Sequence, residues 1–252
     1  MTRQSPFHVA PYAALADVYD RAGLADFAAQ ATPHYLAFVQ SLDWAGRRVL
    51  DLGCGNGNLA KLLQSEGFIG SYFGIDENTY FLEQAEAAVQ DAASGSYTFR
   101  KGSMADPAWL DLVDEADAIC SFATLHHLPG SELHERLFSS VSTKLSLNGR
   151  FFLSCWQVIG NKRLEKHLVP WKPLDIHSGS LGENDLFLDW RADPGKPAKM
   201  RYVHHFTPSE LRGLGESQGL TLLDEFFSDG KEGNLGLYQV WQKPDLSQRD
   251  VQ

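Results

Sequence analysis

The run VLDLGCGNGNL, residues 49–59, sets Asp51 just ahead of three glycines at alternate positions, Gly53, Gly55 and Gly57. A second aspartate, Asp76, ends the run SYFGID 23 residues after Gly53, and His126 and His127 stand side by side in SFATLHHLP. Glycine admits positive φ and lacks the Cβ that would keep a ligand off the backbone. A carboxylate can meet an ammonium group or accept both hydroxyls of a ribose. An imidazole can give or take a proton near neutral pH.

A turn this bare, leading into a helix whose first N–H groups have no intrahelical partner, suits two ligand classes: dinucleotides, and adenosyl compounds that carry an amino acid. The dinucleotide fingerprint G-x-G-x-x-G, begun at Gly53, needs glycine where this chain has Asn58. Asp51 would repel a pyrophosphate and attract an ammonium. Asp76 then reads as the ribose carboxylate, with a cap for the following helix as its plain alternative.

These residues need a scaffold that brings them to one edge. RRVLDLG is a short apolar strand stopped by glycine, and NLAKLLQS, residues 58–65, is an amphipathic helix ended by Gly67. SYFGID, YTFRKGS, ADAICSFATL and RFFLSCW read as the second to fifth strands. Between them fall a helix in YFLEQAEAAVQDAA and another over 131–145, which Asn148-Gly149 is expected to terminate. Thr207-Pro208 opens a further helix as cap and first residue, and LTLLDEFFS and LGLYQVWQK form a final antiparallel pair. The alternation predicts a Rossmann-like, doubly wound α/β sheet of seven strands, mostly parallel, with helices on both faces. Ligands bind at the carboxyl edge of such a sheet, where the strand order reverses.

The predicted organisation is a helical cap over 1–45, a ligand-binding half over 46–156, an insertion or lid over 157–206, and a helix with the strand pair over 207–252. With 252 residues, 43% hydrophobic and 21% charged, the chain is of ordinary globular type. It has no run long and apolar enough for a membrane span and no basic-then-apolar leader, so a cytoplasmic location is expected. Cys54, Cys120 and Cys155 have no metal-like spacing and fit reduced, buried thiols. The net charge of -10 argues against nucleic acid, yet residues 157–206 hold eight Lys or Arg against six Asp or Glu, a net +2 that leaves -12 for the rest.

Taken together, DLGCGNG, GID, KGSM and ICSFATLHHLP resemble, in order and spacing, the class I S-adenosylmethionine-dependent methyltransferases over nearly the whole chain. The resemblance implies S-adenosyl-L-methionine as cofactor and S-adenosyl-L-homocysteine as product. It implies that Asp51, Gly53 and Gly55 hold the methionine part, with Asn56 beside them, and that Asp76 holds the ribose. Ser103 and Met104 would lie by the adenine, although the family often has an acid where Ser103 stands and Met104 is equally suited to the core. Phe122, within the fourth strand, would complete the cofactor site.

VYDRAGLADF, SFATLHHLP, LVPWKP, RYVHHFT and GLYQVWQK further resemble the branch containing the tRNA wobble-uridine carboxymethyl methyltransferases. That likeness implies a cofactor contact for Tyr19, in the Tyr19-Asp20 pair, and a carboxylate on a modified uridine as acceptor. The Thr-Arg expected after Phe27 is absent. The acceptor is left as a small molecule or tRNA, with room for an activator protein. An NAD-dependent oxidoreductase and a non-catalytic binding module are the competing classes, and Asn58 counts against the former.

Methyl transfer needs mainly a nucleophile held in line with an activated methyl, with water excluded. A carboxylate needs no base; an alcohol or amine would gain from one, and His126 is preferred to His127, since neighbours on an extended segment face opposite ways. Beside these, His127, Trp156, Trp171, Tyr202 and His204 are candidates for the substrate side, either stacking on a flat acceptor or packing the insertion down. His204-His205 is not expected to bind a metal, because no cysteine or carboxylate stands at ligand spacing beside it.

Overall fold

A computed structural model describes residues 46–90, 94–170, 182–190 and 199–245. The helical cap expected over 1–45 lies outside them. The described chain runs β1 (Arg48–Leu52), α1 (Asn58–Ser65), β2 (Ser71–Asp76), α2 (Thr79–Ala88), β3 (Ser96–Lys101), β4 (Ala116–Phe122), α3 (Ser131–Lys144) and β5 (Leu145–Trp156). It continues through α4 (Lys162–Glu165), β6 (Leu168–Val169), β7 (Asp185–Trp190), β8 (Lys199–His204), α5 (Pro208–Ser217), β9 (Thr221–Ser228) and β10 (Gly236–Gln242). Single 3₁₀ turns occupy Pro107–Leu112 and Leu125–His127.

Seven strands form one sheet in the order β3-β2-β1-β4-β5-β10-β9, and β10 runs antiparallel to both neighbours. This is the Rossmann-like fold the alternation predicted. The order reverses between β1 and β4, so the chain leaving these two strands opens a crevice at their carboxyl ends. β1 shows why the sheet is buried on both faces: Leu50 and Leu52 enter one apolar cluster with Ile75, Phe138 and Phe151, while Val49 enters another with Leu63, Tyr72 and Phe152. Asp51 shares the face of Val49. The three cysteines are buried and unpaired, as their spacing suggested.

Three boundaries differ from expectation. α3 ends at Lys144, before Asn148-Gly149, because buried Leu145 turns extended and pairs with Ala116 of β4. Asn148, at φ 63, instead makes a turn within β5, and its N–H donates to the Lys243 carbonyl. β4 stops at Phe122 rather than Leu125, since Ala123 takes φ 53 and the chain winds into the 3₁₀ turn. Residues 157–206, read as a loop or lid, carry α4 and a three-stranded antiparallel sheet, β6-β7-β8. Trp190 falls at the end of β7. α5 begins as predicted, with Thr207 Oγ accepting the Glu210 N–H at 3.2 Å and Pro208 first in the helix.

Candidate functional site

The glycine turn is tied to β2 by the N–H groups of Gly53 and Cys54, which both donate to the Ile75 carbonyl, at 2.8 and 3.0 Å. The three glycines have different reasons to be bare. A Cβ on Gly53, at φ +77, would lie 2.2 Å from Thr124 Cγ2, and one on Gly57 would lie 2.8 Å from Ala85 Cβ. At Gly55, φ +53, a Cβ would meet nothing within 4 Å. Two glycines therefore admit protein neighbours, and the third faces open space.

Asp76 lies below that open turn. Its Oδ2 accepts the Gly55 N–H at 2.9 Å and its Oδ1 the Asn78 N–H at 2.8 Å. The cap of α2 is Asn78, whose side chain accepts the Tyr80 N–H, so the capping alternative for Asp76 falls away. The Asn78 amide nitrogen is buried and has no hydrogen-bond partner among the described residues. Sequence reasoning missed Asn78, though an Asn before the helical run was a usable capping signal.

Asp51 is buried and accepts the Tyr72 hydroxyl at 2.6 Å. Burial pushes its carboxyl up to about 7, against the Tyr72 hydrogen bond and with help from the charge of Asp76. Burial raises Asp76 as well, against its backbone hydrogen bonds. Two acids held this way gain most from a cationic ligand. An open glycine cradle, a buried amide without a described partner, and two buried carboxylates whose hydrogen bonds leave them above the usual carboxylate range fit an adenosyl amino acid. Asn56 is half-buried in the same turn, and Phe122 and Met104 are partly buried against the two core clusters. Ser103 donates to the carboxylate of Glu77, the residue that follows β2. Tyr19 lies outside the described residues.

The 3₁₀ turn after β4 brings the two histidines together. Their ring centroids are 4.2 Å apart, so the expectation of opposite faces is overturned: the segment is wound, not extended. Their protons are fixed differently. His126 Nδ1 accepts the Trp156 N–H at 3.3 Å, which puts the ring proton on Nε2, a buried atom with no partner among the described residues. His127 Nδ1 lies 3.0 Å from the Tyr202 carbonyl, which only accepts, so Nδ1 carries the proton and Nε2 a lone pair. Burial, aided by each other's charge and Arg201, pushes His126 well below the usual histidine range; burial and Arg201 push His127 down to about 3. Both rings are neutral at physiological pH.

The remaining acceptor-side candidates are buried rather than lining an open face. Trp156 stacks on His126 with centroids 4.9 Å apart, and the guanidinium of Arg201 lies 5.3 Å from its ring centre. Arg201 is 1% exposed, so it is unavailable to a phosphate backbone in this arrangement. Tyr202 donates its hydroxyl to Asp185 at 2.5 Å. His204 is bonded at Nδ1 to Asp185, 2.6 Å, and at Nε2 to Glu210, 2.8 Å. The fold thus supplies His204 with the carboxylates that its sequence neighbourhood lacked. Trp171 lies outside the described residues.

The model of the methyltransferase-domain family matches residues 14–225. No functionally curated protein matches the chain. Among solved structures, an S-adenosylmethionine-dependent methyltransferase from Methanosarcina mazei is 21% identical at a TM-score of 0.64, over 82% of this chain and 97% of that one. A methyltransferase complexed with the Trm112 activator of Haloferax volcanii is 17% identical at 0.65, over 93% and 96%. Magnesium protoporphyrin IX methyltransferase from Synechocystis PCC 6803, with bound S-adenosylhomocysteine, is 17% identical at 0.56, over 90% and 85%. At these identities the likeness is one of fold.

Proposed function

The chain belongs to the methyltransferase-domain family and uses S-adenosylmethionine; from that premise we propose that it methylates a small molecule at an oxygen that is anionic at neutral pH, a carboxylate or an acidic hydroxyl. The observation that carries this reading is the proton inventory at the end of β4. His127 offers a lone pair, but with its conjugate acid down at about 3 it is too weak a base to deprotonate an aliphatic alcohol or an alkylammonium. His126 offers an orphan Nε2–H, a donor suited to an anionic oxygen. Burial, with the nearby Arg201 charge, holds both rings neutral, and that charge favours the same anion. His126 therefore acts as donor, not as the base the sequence suggested.

When bound, the cofactor supplies an already activated methyl group, so these side chains have to orient the nucleophile and exclude water rather than move a proton. Asp51, Gly55 and Asp76 hold the methionine and ribose ends in this reading. The net charge of -10 favours a small acceptor over tRNA.

The test is labelled-methyl transfer to acceptor pools: small carboxylic acids, phenols, aliphatic alcohols, amines and bulk tRNA. Labelling of carboxylates or strongly acidic phenols is expected, and at saturating S-adenosylmethionine kcat/KM for a carboxylate acceptor stays flat from about pH 7 to 8, because neither histidine titrates there. Turnover confined to amines or aliphatic alcohols would remove the anionic-oxygen assignment.

A further inference from the structure

Behind the two histidines of the 3₁₀ turn lies a second polar cluster with a different composition. His134 from α3, His204 at the end of β8 and Glu210 in the first turn of α5 each bring one donor atom, and these atoms all lie within 4.8 Å of one another. His134 is 1% exposed and His204 8%. The rings of His134 and His204 are 4.8 Å apart between centroids, and both pack on Phe206.

The hydrogen bonds around the cluster set the tautomers. His134 Nε2 lies 2.7 Å from the Leu128 carbonyl and must donate to it, leaving the lone pair on Nδ1. His204 Nδ1 lies 2.6 Å from Asp185, a carboxylate that also accepts from the Tyr202 hydroxyl and, at 2.8 Å, from the Gly182 N–H. His204 Nε2, 2.8 Å from Glu210, donates a proton to that carboxylate in the empty protein; a bound ion would displace it while Asp185 keeps the Nδ1 proton. A histidine whose second nitrogen donates to a carbonyl or carboxylate is the arrangement that orients metal-bound imidazoles.

The charges agree with the geometry. Among the described residues the charge that acts most on Asp185 and Glu210 is that of His204, which their hydrogen bonds push up to about 9 against its burial, so an ion bound here would take the place of that imidazolium proton. Two partly buried carboxylates so placed are matched by a dication.

We propose that His134, His204 and Glu210 form a site for a divalent transition metal, zinc foremost, held in place by Asp185 and the Leu128 carbonyl. Two imidazoles and a carboxylate suit zinc, with bonds of about 2.0–2.2 Å that place ligand atoms roughly 3.3–3.5 Å apart, so the cluster closes on an ion with shifts on the order of 1 Å. The site is structural. It joins α3, β8 and α5, and through Asp185 and Tyr202 it fixes the carbonyl that holds His127.

The full chain, freed of any affinity tag and stripped with a chelator, is titrated with zinc chloride against a competing chromophoric chelator. One ion per chain is expected, with a Kd below about 1 µM, together with a rise in Tm. Glu210→Gln and His134→Gln should each weaken zinc binding at least tenfold, whereas Glu210→Asp should retain it. If the glutamine variants fail to fold, anomalous diffraction at the zinc edge from wild-type crystals locates the ion. A Kd weaker than about 100 µM, or an ion found away from these three side chains, overturns the site and leaves His204 a histidinium clamped between two carboxylates.

Discussion

Gly53 and Thr124, 71 residues apart, approach so closely that Thr124 Oγ1 lies 3.4 Å from the Gly53 carbonyl and a Cβ on Gly53 would penetrate the threonine side chain. The glycine turn and the end of β4 are therefore one packed unit. Because His126 and His127 follow Thr124 by two and three residues, the cofactor end and the acceptor end of the site share a single mechanical joint.

Gly53→Ala and Gly55→Ala should separate two demands. Both pay for positive φ, on the order of 1 kcal/mol. Gly53→Ala adds an overlap with Thr124 and should lower stability by about 2–4 kcal/mol. Gly55→Ala meets open space, so its stability loss should stay near 1 kcal/mol while cofactor affinity falls. Thermal denaturation paired with calorimetry reads both. A Gly55→Ala protein that binds cofactor normally would move the ligand away from this turn.

Asp76→Ala should weaken S-adenosylmethionine binding at least tenfold, since a charge-assisted hydrogen bond to ribose contributes about 1.5–3 kcal/mol. The substitution also strands the N–H groups of Gly55 and Asn78, so Tm must be measured beside affinity. A lowered Tm with unchanged affinity would leave Asp76 a purely structural acceptor.

Asp51 predicts a pH dependence with two opposite faces. Its carboxyl is raised by burial from 3.8 to about 7, so the empty fold favours the protonated form; that contribution to stability is present below about 4 and lost as pH rises through 7. A bound ammonium favours the carboxylate instead. Cofactor affinity should therefore fall by up to tenfold per pH unit as pH drops below about 7, with proton release on binding. Asp51→Asn should raise the Tm of the empty protein at pH 8, weaken binding and flatten its pH profile. Calorimetry in buffers of different ionisation enthalpy counts the proton.

The cofactor half was largely legible because its signals are local. Glycine at Gly53 and Gly55, and an acid closing SYFGID, are short-range features whose meaning does not depend on the rest of the chain. The antiparallel pairing of β9 with β10 was legible for the same reason, as two apolar runs near the end of the chain. The acceptor half was not. Whether His126 and His127 diverge or converge turns on Ala123 taking φ 53, a conformation alanine rarely adopts and that sequence gives no reason to expect. Asp185, His134 and Glu210 reach His204 from separate elements, so no spacing rule could assemble them. Arg201 was counted as a surface cation from a lysine-rich segment, but β8 carries it inward onto Trp156.

That burial sharpens the last prediction. Of the eight Lys or Arg in 157–206, five read as available to an RNA backbone, Lys162, Arg163, Lys166, Lys172 and Arg201, while the side chains of Arg191, Lys196 and Lys199 lie outside the described residues. Lys162, Arg163 and Lys166 are exposed around α4, Lys172 lies outside the described residues, and Arg201 is 1% exposed. Each neutralised phosphate contributes a slope of about -0.7 to -0.9 in log affinity against log salt. Few phosphates can then be held, and a net charge of -10 repels the rest of the backbone. The isolated chain is expected to bind bulk tRNA weakly at physiological salt, with a slope shallower than about -3. Filter binding across a salt series measures this. Submicromolar binding with a steeper slope, flattened when Lys162, Arg163, Lys166 and Lys172 are neutralised, would replace the small-molecule acceptor with a modified tRNA uridine.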